Sequence, residues 1–228
     1  MKNEFVLNID GLSKSFKKKT LLDDVSIKIK SGECVALVGG NGSGKSSFLN
    51  MIAGISEADK GKVEFFLDGE KIAKKDVKQY VSYVPQNHFL LGELSAYDNL
   101  LFWYQGDKES LEKDLNEGIL LELEIKDYIR QKVDKMSVGM QKRIAFACAL
   151  ANKPKLLLLD ELNAPLDVVG RLKIQKFLKD YVNRGSAVLM STHDEGDIRV
   201  CNKILLIKEK QIKESEEKTL EMIFKDES

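Results

Sequence analysis

The sequence predicts an α/β protein, a parallel sheet wrapped by helices and interrupted by a block of helix alone. Three observations carry that expectation. The runs ECVALVG (33–39) and KLLLLDE (155–161) are short and almost continuously apolar, as strands buried on both faces are. Strand-like and helix-like segments alternate around them, the pattern of crossover connections in a parallel sheet. From about 88 to 150 strand runs are missing and the period is helical, so that block reads as an insertion.

Taken in order, Val6 to Ile9 and Val25 to Ile29 alternate apolar and polar residues, as half-buried strands do, with a basic, turn-like SKSFKKKT (13–20) between them. ECVALVG ends in glycines, and KSSFLNMIAGI then reads as a helix that stops at Gly54. Lys62 to Leu67 and Val81 to Val84 predict further short strands. In the insertion, LFWYQ (101–105) and SLEKDLNEGILLELEI (110–125) fit amphipathic helices, and GMQKRIAFACALA (139–151) is read as a third. After Pro154 come the strand KLLLLDE, a helix at about 168–182, and the strands AVLMSTHD (187–194) and KILLIKE (203–209). The charged tail beyond Lys208 predicts a small strand and a solvated helix.

Composition narrows the function. The 228 residues are 43% hydrophobic and 32% charged, which is globular, not disordered. Lysine plus arginine and aspartate plus glutamate each total 36, for a net charge of +0. A chain that mainly coats nucleic acid or an anionic bilayer carries a basic excess, so no nucleic acid is expected as a partner. No apolar stretch approaches the roughly 18–20 residues of a membrane span, and the N-terminus has no signal-peptide core. Cys34, Cys148 and Cys201 sit apart in apolar surroundings, with neither disulfide-framework nor zinc-ligand spacing, and read as reduced core residues. A cytosolic chain is expected.

The sharpest local signal is GGNGSGKS (39–46), which matches G-x-x-x-x-G-K-[ST] between a buried strand and a helix. A polyphosphate needs several backbone N–H groups turned inward, and glycines allow the backbone angles and close approach this takes. Gly39, Asn41, Gly42, Ser43 and Gly44 would form that cradle, and the helix that follows adds its positive end. Lys45 would reach the β- and γ-phosphates, the Ser46 hydroxyl would ligate Mg²⁺, and Ser47 would donate to the α-phosphate. KLLLLDE supplies the other half: Asp160 at the strand's end can hold Mg²⁺ through water, and Glu161 can serve as general base to an attacking water. No N-K-x-D sequence that would read guanine is present, which disfavours a GTPase. At 137–143, SVGMQKR opens a further helix. Ser137 is a good cap and Gly139 lets backbone approach an anion, so a second phosphate-binding device stands apart from the first. One resolution is that Ser137 and Gly139 contact the nucleotide held by a second copy.

These residues resemble the ATP-binding subunit of an ABC transporter over at least 3–212. The family signature, LSGGQ, stands here as MSVGM (136–140), and the S-x-G-M form is similar to the ABC-2-like export group. The resemblance implies a P-loop NTPase (RecA-like) core with a parallel sheet, an N-terminal antiparallel β subdomain and an inserted helical subdomain. All would form one ABC ATPase domain over 1–228, with the core at 1–87 and 151–228 and the helical subdomain at about 88–150. It implies that Gln86 in YVPQN is the Q-loop glutamine, touching Mg²⁺ and water and sensing the membrane partner. By the same resemblance His193 in STHD is the switch histidine, bonding the γ-phosphate and orienting water with Glu161. Phe16 in LSKSF corresponds to the aromatic that stacks on adenine, and Asp167 in APLD (164–167) to the D-loop aspartate, here beside an unusual Pro165. His88 is an ordinary loop residue. The ligands implied are ATP and Mg²⁺. The partners implied are a second copy, packed head to tail when ATP is bound, and a separately encoded membrane permease that holds the chain at the inner face of the membrane. Phe102, Trp103 and Tyr104 would either border the groove for a cytoplasmic helix of that permease or form a plain core cluster. The competing reading is a soluble ABC-type ATPase acting on ribosomes or DNA, disfavoured by the single GKS motif, the short insertion and the balanced charge.

Overall fold

The computed structural model describes residues 4–17, 19–87, 89–161, 168–217, 219 and 221. Two sheets carry the described strands. The first has the order β2-β1-β4-β5, from β1 (Phe5–Phe16), β2 (Lys19–Lys30), β4 (Lys60–Leu67) and β5 (Glu70–Lys71), and all its pairs are antiparallel. The second has the order β10-β9-β3-β8-β7-β6, from β3 (Cys34–Gly39), β6 (Val81–Val84), β7 (Leu156–Asp160), β8 (Ala187–Ser191), β9 (Lys203–Lys208) and β10 (Gln211–Glu214). Every pair in it is parallel except β9 with β10, which form a hairpin.

The continuous apolar strands serve two cores at once. Val35, Leu37, Leu156, Leu158 and Leu189 point to one core, with Phe48, Leu49 and Ile52 of α1 (Lys45–Ile52) and the inner face of the antiparallel sheet. Ala36, Val38, Leu157, Leu159 and Val188 point to the other. There they meet α2 (Ala96–Trp103), α3 (Lys108–Asn116), α4 (Val138–Leu150), α5 (Val168–Asn183) and α6 (Glu195–Val200). A period of two with both faces buried leaves no position for a polar residue, which explains the unbroken leucines. No strand of either sheet lies between 88 and 150 among the described residues, and the helices of that block share their core with the parallel sheet.

Four local expectations are corrected. The basic segment 13–20 is not a separate turn: β1 runs to Phe16 and β2 starts at Lys19, because the hairpin lies outside the packed core and its side chains can remain polar. The segment 110–125 is not one helix. It ends at Asn116, Gly118 packs where a Cβ would meet Asp114 Oδ1 at 2.4 Å, and short 3₁₀ turns follow at Leu121–Leu123 and Lys126–Tyr128. The helix around LFWYQ begins earlier, at Ala96, where Ser95 caps it, and ends at Trp103. Finally, α4 is not amphipathic: every residue from Ile144 to Leu150 is buried, since the helix is enclosed between the sheet and its neighbouring helices. The tail's strand is β10; the solvated helix expected after it falls largely outside the described residues.

Candidate functional site at the carboxyl ends of the parallel strands

Parallel strands deliver their loops to one end of a sheet, and β3, β6, β7 and β8 all do so here. The loop after β3 is compact. Gly42 and Gly44 take positive φ angles of 72° and 110°, and a Cβ on Gly39 would lie 2.8 Å from Ser43 Oγ and 3.1 Å from the Ile207 carbonyl oxygen. Only glycine fits such a turn without strain. Ser43 Oγ is buried and has no hydrogen-bond partner, a polar atom aimed at something the protein does not itself supply. Gly44 offers no side-chain cap to α1, and no acidic residue stands in the helix's first turn. The positive end of the helix is therefore unopposed beside Ser46 and Ser47. Lys45 is 6% exposed, and its ammonium donates to the carbonyls of Gly39 at 2.8 Å and Gly40 at 3.2 Å. Burial pushes its pKa down, while Glu161 and then Asp160 hold it up.

The carboxylates come from the end of β7. Asp160 is 2% exposed and accepts from Ser191 Oγ on β8 and, at 3.3 Å, from the Tyr83 hydroxyl on β6. Burial, and then the Asp160 charge, drive the Tyr83 phenol well above its usual range, so it keeps the proton that it donates to Asp160. Glu161 leaves the strand with a left-handed backbone, φ 50°, and its N–H donates to both the carbonyl and the hydroxyl of Ser191. That turn places its carboxylate between two side chains. Gln86 Nε2 donates to Glu161 Oε2 at 2.8 Å, and His193 Nε2 lies 3.4 Å from Oε1.

Among the described residues no group of three His, Cys, Asp or Glu side chains could hold a metal unaided. One buried carboxylate and one serine on adjacent elements suit Mg²⁺, which takes its remaining ligands from phosphate oxygens and water. The second device, at α4, is built differently. Ser137 caps the helix by accepting from the N–H of Met140 at 3.2 Å; Ser137 and Val138 are exposed, and Gly139 and Met140 are half-buried. Among the described residues, no hydrogen bond or ion pair joins Ser137 or Gly139 to Lys45, Asp160 or His193.

The family model described as ABC transporter matches residues 22–164. The chain belongs to the ABC transporter family. It is 33% identical over 215 residues to a spermidine/putrescine import ATP-binding protein, PotA, of Bacteroides fragilis, an alignment covering 92% of this chain and 46% of the relative. It is 30% identical to the linearmycin resistance ATP-binding protein LnrL of Bacillus subtilis, covering 89% and 66%. The chain thus spans about half the length of the PotA relatives that it matches. A solved dimeric ATP-binding cassette, in a post-hydrolysis state bound to ADP and phosphate, superposes with a TM-score of 0.78 at 28% identity, over 92% of this chain and 97% of that one.

Within this ABC-family fold the residues expected from sequence fall into three groups. Gln86 and His193 contact Glu161, while Lys45 lies within the electrostatic reach of Glu161 and Asp160. Phe16 stands apart from them at the end of β1, 61% exposed, with the Lys14 ammonium 5.8 Å from its ring centre. Asp167, with Pro165 and the rest of 162–167, and His88 lie outside the described residues. Sequence reading does not find Tyr83, Ser191 or Lys142, whose roles depend on which strands are neighbours. It also does not anticipate α6, whose cap Asp194 directly follows His193. There Thr192 Oγ1 donates to Asp197 Oδ2, Gln175 Nε2 donates to Asp197 Oδ1, and Arg171 pairs with Asp194, so both neighbours of His193 are tied down.

Proposed function

We propose that this chain binds and hydrolyses ATP as the nucleotide-binding subunit of a membrane transporter, acting as a dimer of two copies. The observation that supports this best is the convergence of Lys45, Asp160, Glu161, Gln86 and His193 on the glycine loop at one end of the sheet. In this reading Phe16 stacks on the adenine, and the loop N–H groups of Gly39 to Gly44 cradle the phosphates. Lys45 exchanges the loop carbonyls for β- and γ-phosphate oxygens, while Ser47 donates to the α-phosphate. Ser46, Gln86 and Asp160 would hold Mg²⁺, which neutralises charge on the β- and γ-oxygens. Glu161 takes a proton from a water as its oxygen attacks the γ-phosphorus and the bond to the β-phosphate oxygen breaks. His193, fixed by the α5–α6 network on either side of it, would donate to a γ-phosphate oxygen and keep Glu161 turned to the water.

Ser137 and Gly139 act on the nucleotide of the second copy, and Asp167 serves the seam between the two. The exposed apolar residues Val138 on α4 and Val168, Val169 and Leu172 on α5 are surface that a second copy would cover. No helix among the described residues is long and apolar enough to cross a membrane, and in this reading a permease supplies the membrane path. Its cytoplasmic segment would meet Phe102 and Trp103, which are 64% and 40% exposed and pack edge-to-face, with Phe89 against Trp103 in the same way. Relatives named for import and for resistance or export both match. We favour export on the S-x-G-M form at 137–140.

Glu161→Gln tests the reading. It removes the base and keeps the shape, so hydrolysis falls by about a hundredfold or more while ATP binding persists and the dimer accumulates in light scattering. Undiminished hydrolysis, or no ATP-dependent association, would overturn the proposal.

A further inference from the structure

Lys142 is a buried cation to which neither the phosphates nor the metal assigns a task. It lies in the second turn of α4, is 5% exposed, and its ammonium donates to the main-chain carbonyl of Gln86. Burial lowers its pKa, and Asp160 and then Glu161 work against that shift, so the ammonium feels both carboxylates. Burying an ammonium is costly without such compensation, and a leucine or methionine would fill the same space at no electrostatic cost.

The acceptor it has chosen is informative. Residues 85–87 lie beyond the end of β6 and its ladder with β7, so side chains must fix their main chain. With its carbonyl held by Lys142, Gln86 turns its amide to Glu161 Oε2 at 2.8 Å, while His193 stands at the other oxygen. An unbroken run of polar contacts therefore leads from α4, whose tip carries Ser137 and Gly139, through Lys142 and Gln86 to Glu161.

We propose that Lys142 is a positioning residue that fixes the main chain of Gln86 and so couples the placement of α4 to the orientation of the Glu161 carboxylate. The helix that meets the second copy and the base that deprotonates the attacking water in the first would then move as one unit. This rests on the reading of Glu161 as the base.

A double-mutant cycle on the full chain tests it, with steady-state ATP hydrolysis as the readout. Lys142→Met lowers kcat by about tenfold and leaves KM for ATP within about twofold, because the lost interaction concerns the attacking side and not nucleotide binding. In a Gln86→Ala background the same substitution adds no further loss. Lys142→Gln, which keeps an N–H donor, recovers most of the rate. A folded Lys142→Met chain with unchanged kcat, or the same fold-loss with and without the Gln86 side chain, overturns the proposal, since a purely packing role would give the second result. Thermal unfolding identifies a methionine variant that fails to fold, and Lys142→Leu then takes its place in the cycle. If Glu161→Gln leaves hydrolysis unchanged, the assignment of the base fails instead, whatever Lys142 does.

Discussion

Two helix starts in this molecule, each expected from sequence to approach a phosphate, are built differently and stand in opposite settings. At α1 the chain encloses the start: Lys45 is buried, two carboxylates face it, and the glycine loop folds over the helix end. At α4 the chain leaves it open, with Ser137 satisfied by its own capping bond and Val138 exposed beside it. On the proposed reading, the difference means that one chain completes the hydrolytic half and only offers the other. A site divided in this way stays slow until a second body arrives, which is how binding energy is directed to a step and not spent at random.

The hardest blow to that contrast is Lys45→Met, which should cost about a hundredfold or more in hydrolysis, the scale of losing a preorganised charge on a developing oxyanion. Gly139→Asp should cost nearly as much, because it sets a carboxylate against the partner's phosphates. The contrast is sharpened by mixing the two inactive variants. A heterodimer then pairs one doubly broken site with one intact one, and random assortment should restore about a quarter of the normal rate. No recovery on mixing would mean that each chain is complete in itself. A smaller effect belongs to Phe16→Ala: stacking on a base is worth about 1–3 kcal/mol, so ATP affinity drops roughly tenfold while unfolding, measured by heat, is unchanged at this exposed ring. The smallest is structural. Ser137→Ala removes a cap worth about 1 kcal/mol and should lower the melting temperature by about 2–4 °C, whereas α1, with no side-chain cap to lose, has no counterpart to this effect.

What the sequence reveals follows from where local chemistry dominates. The glycine loop is legible because its backbone angles demand glycine, and β3, β7 and β8 because two buried faces leave only apolar residues. The polar ends of β1 and β2 are hidden, since nothing covers them and SKSFKKKT looks like any solvated turn. The break before Gly118 is masked by leucines that keep helical spacing on both sides of it. Lys142 is the instructive miss. In GMQKRIAF it reads as one more solvated charge, and only the meeting of α4 with the loop after β6 buries it. Tyr83 and Ser191 were silent for the same reason, because strand order, and not spacing along the chain, brings them to Asp160.

One feature of the turn at Glu161 sets a limit on how stable this protein can become. A left-handed backbone costs an ordinary L-residue about 1–2 kcal/mol, and glycine would adopt it freely. Selection for heat resistance alone would therefore drift toward exchanging the acid for glycine, yielding a hardier chain that, on the proposed reading, has lost its base. Any durable natural homologue that keeps the acid must have found its robustness elsewhere in the fold.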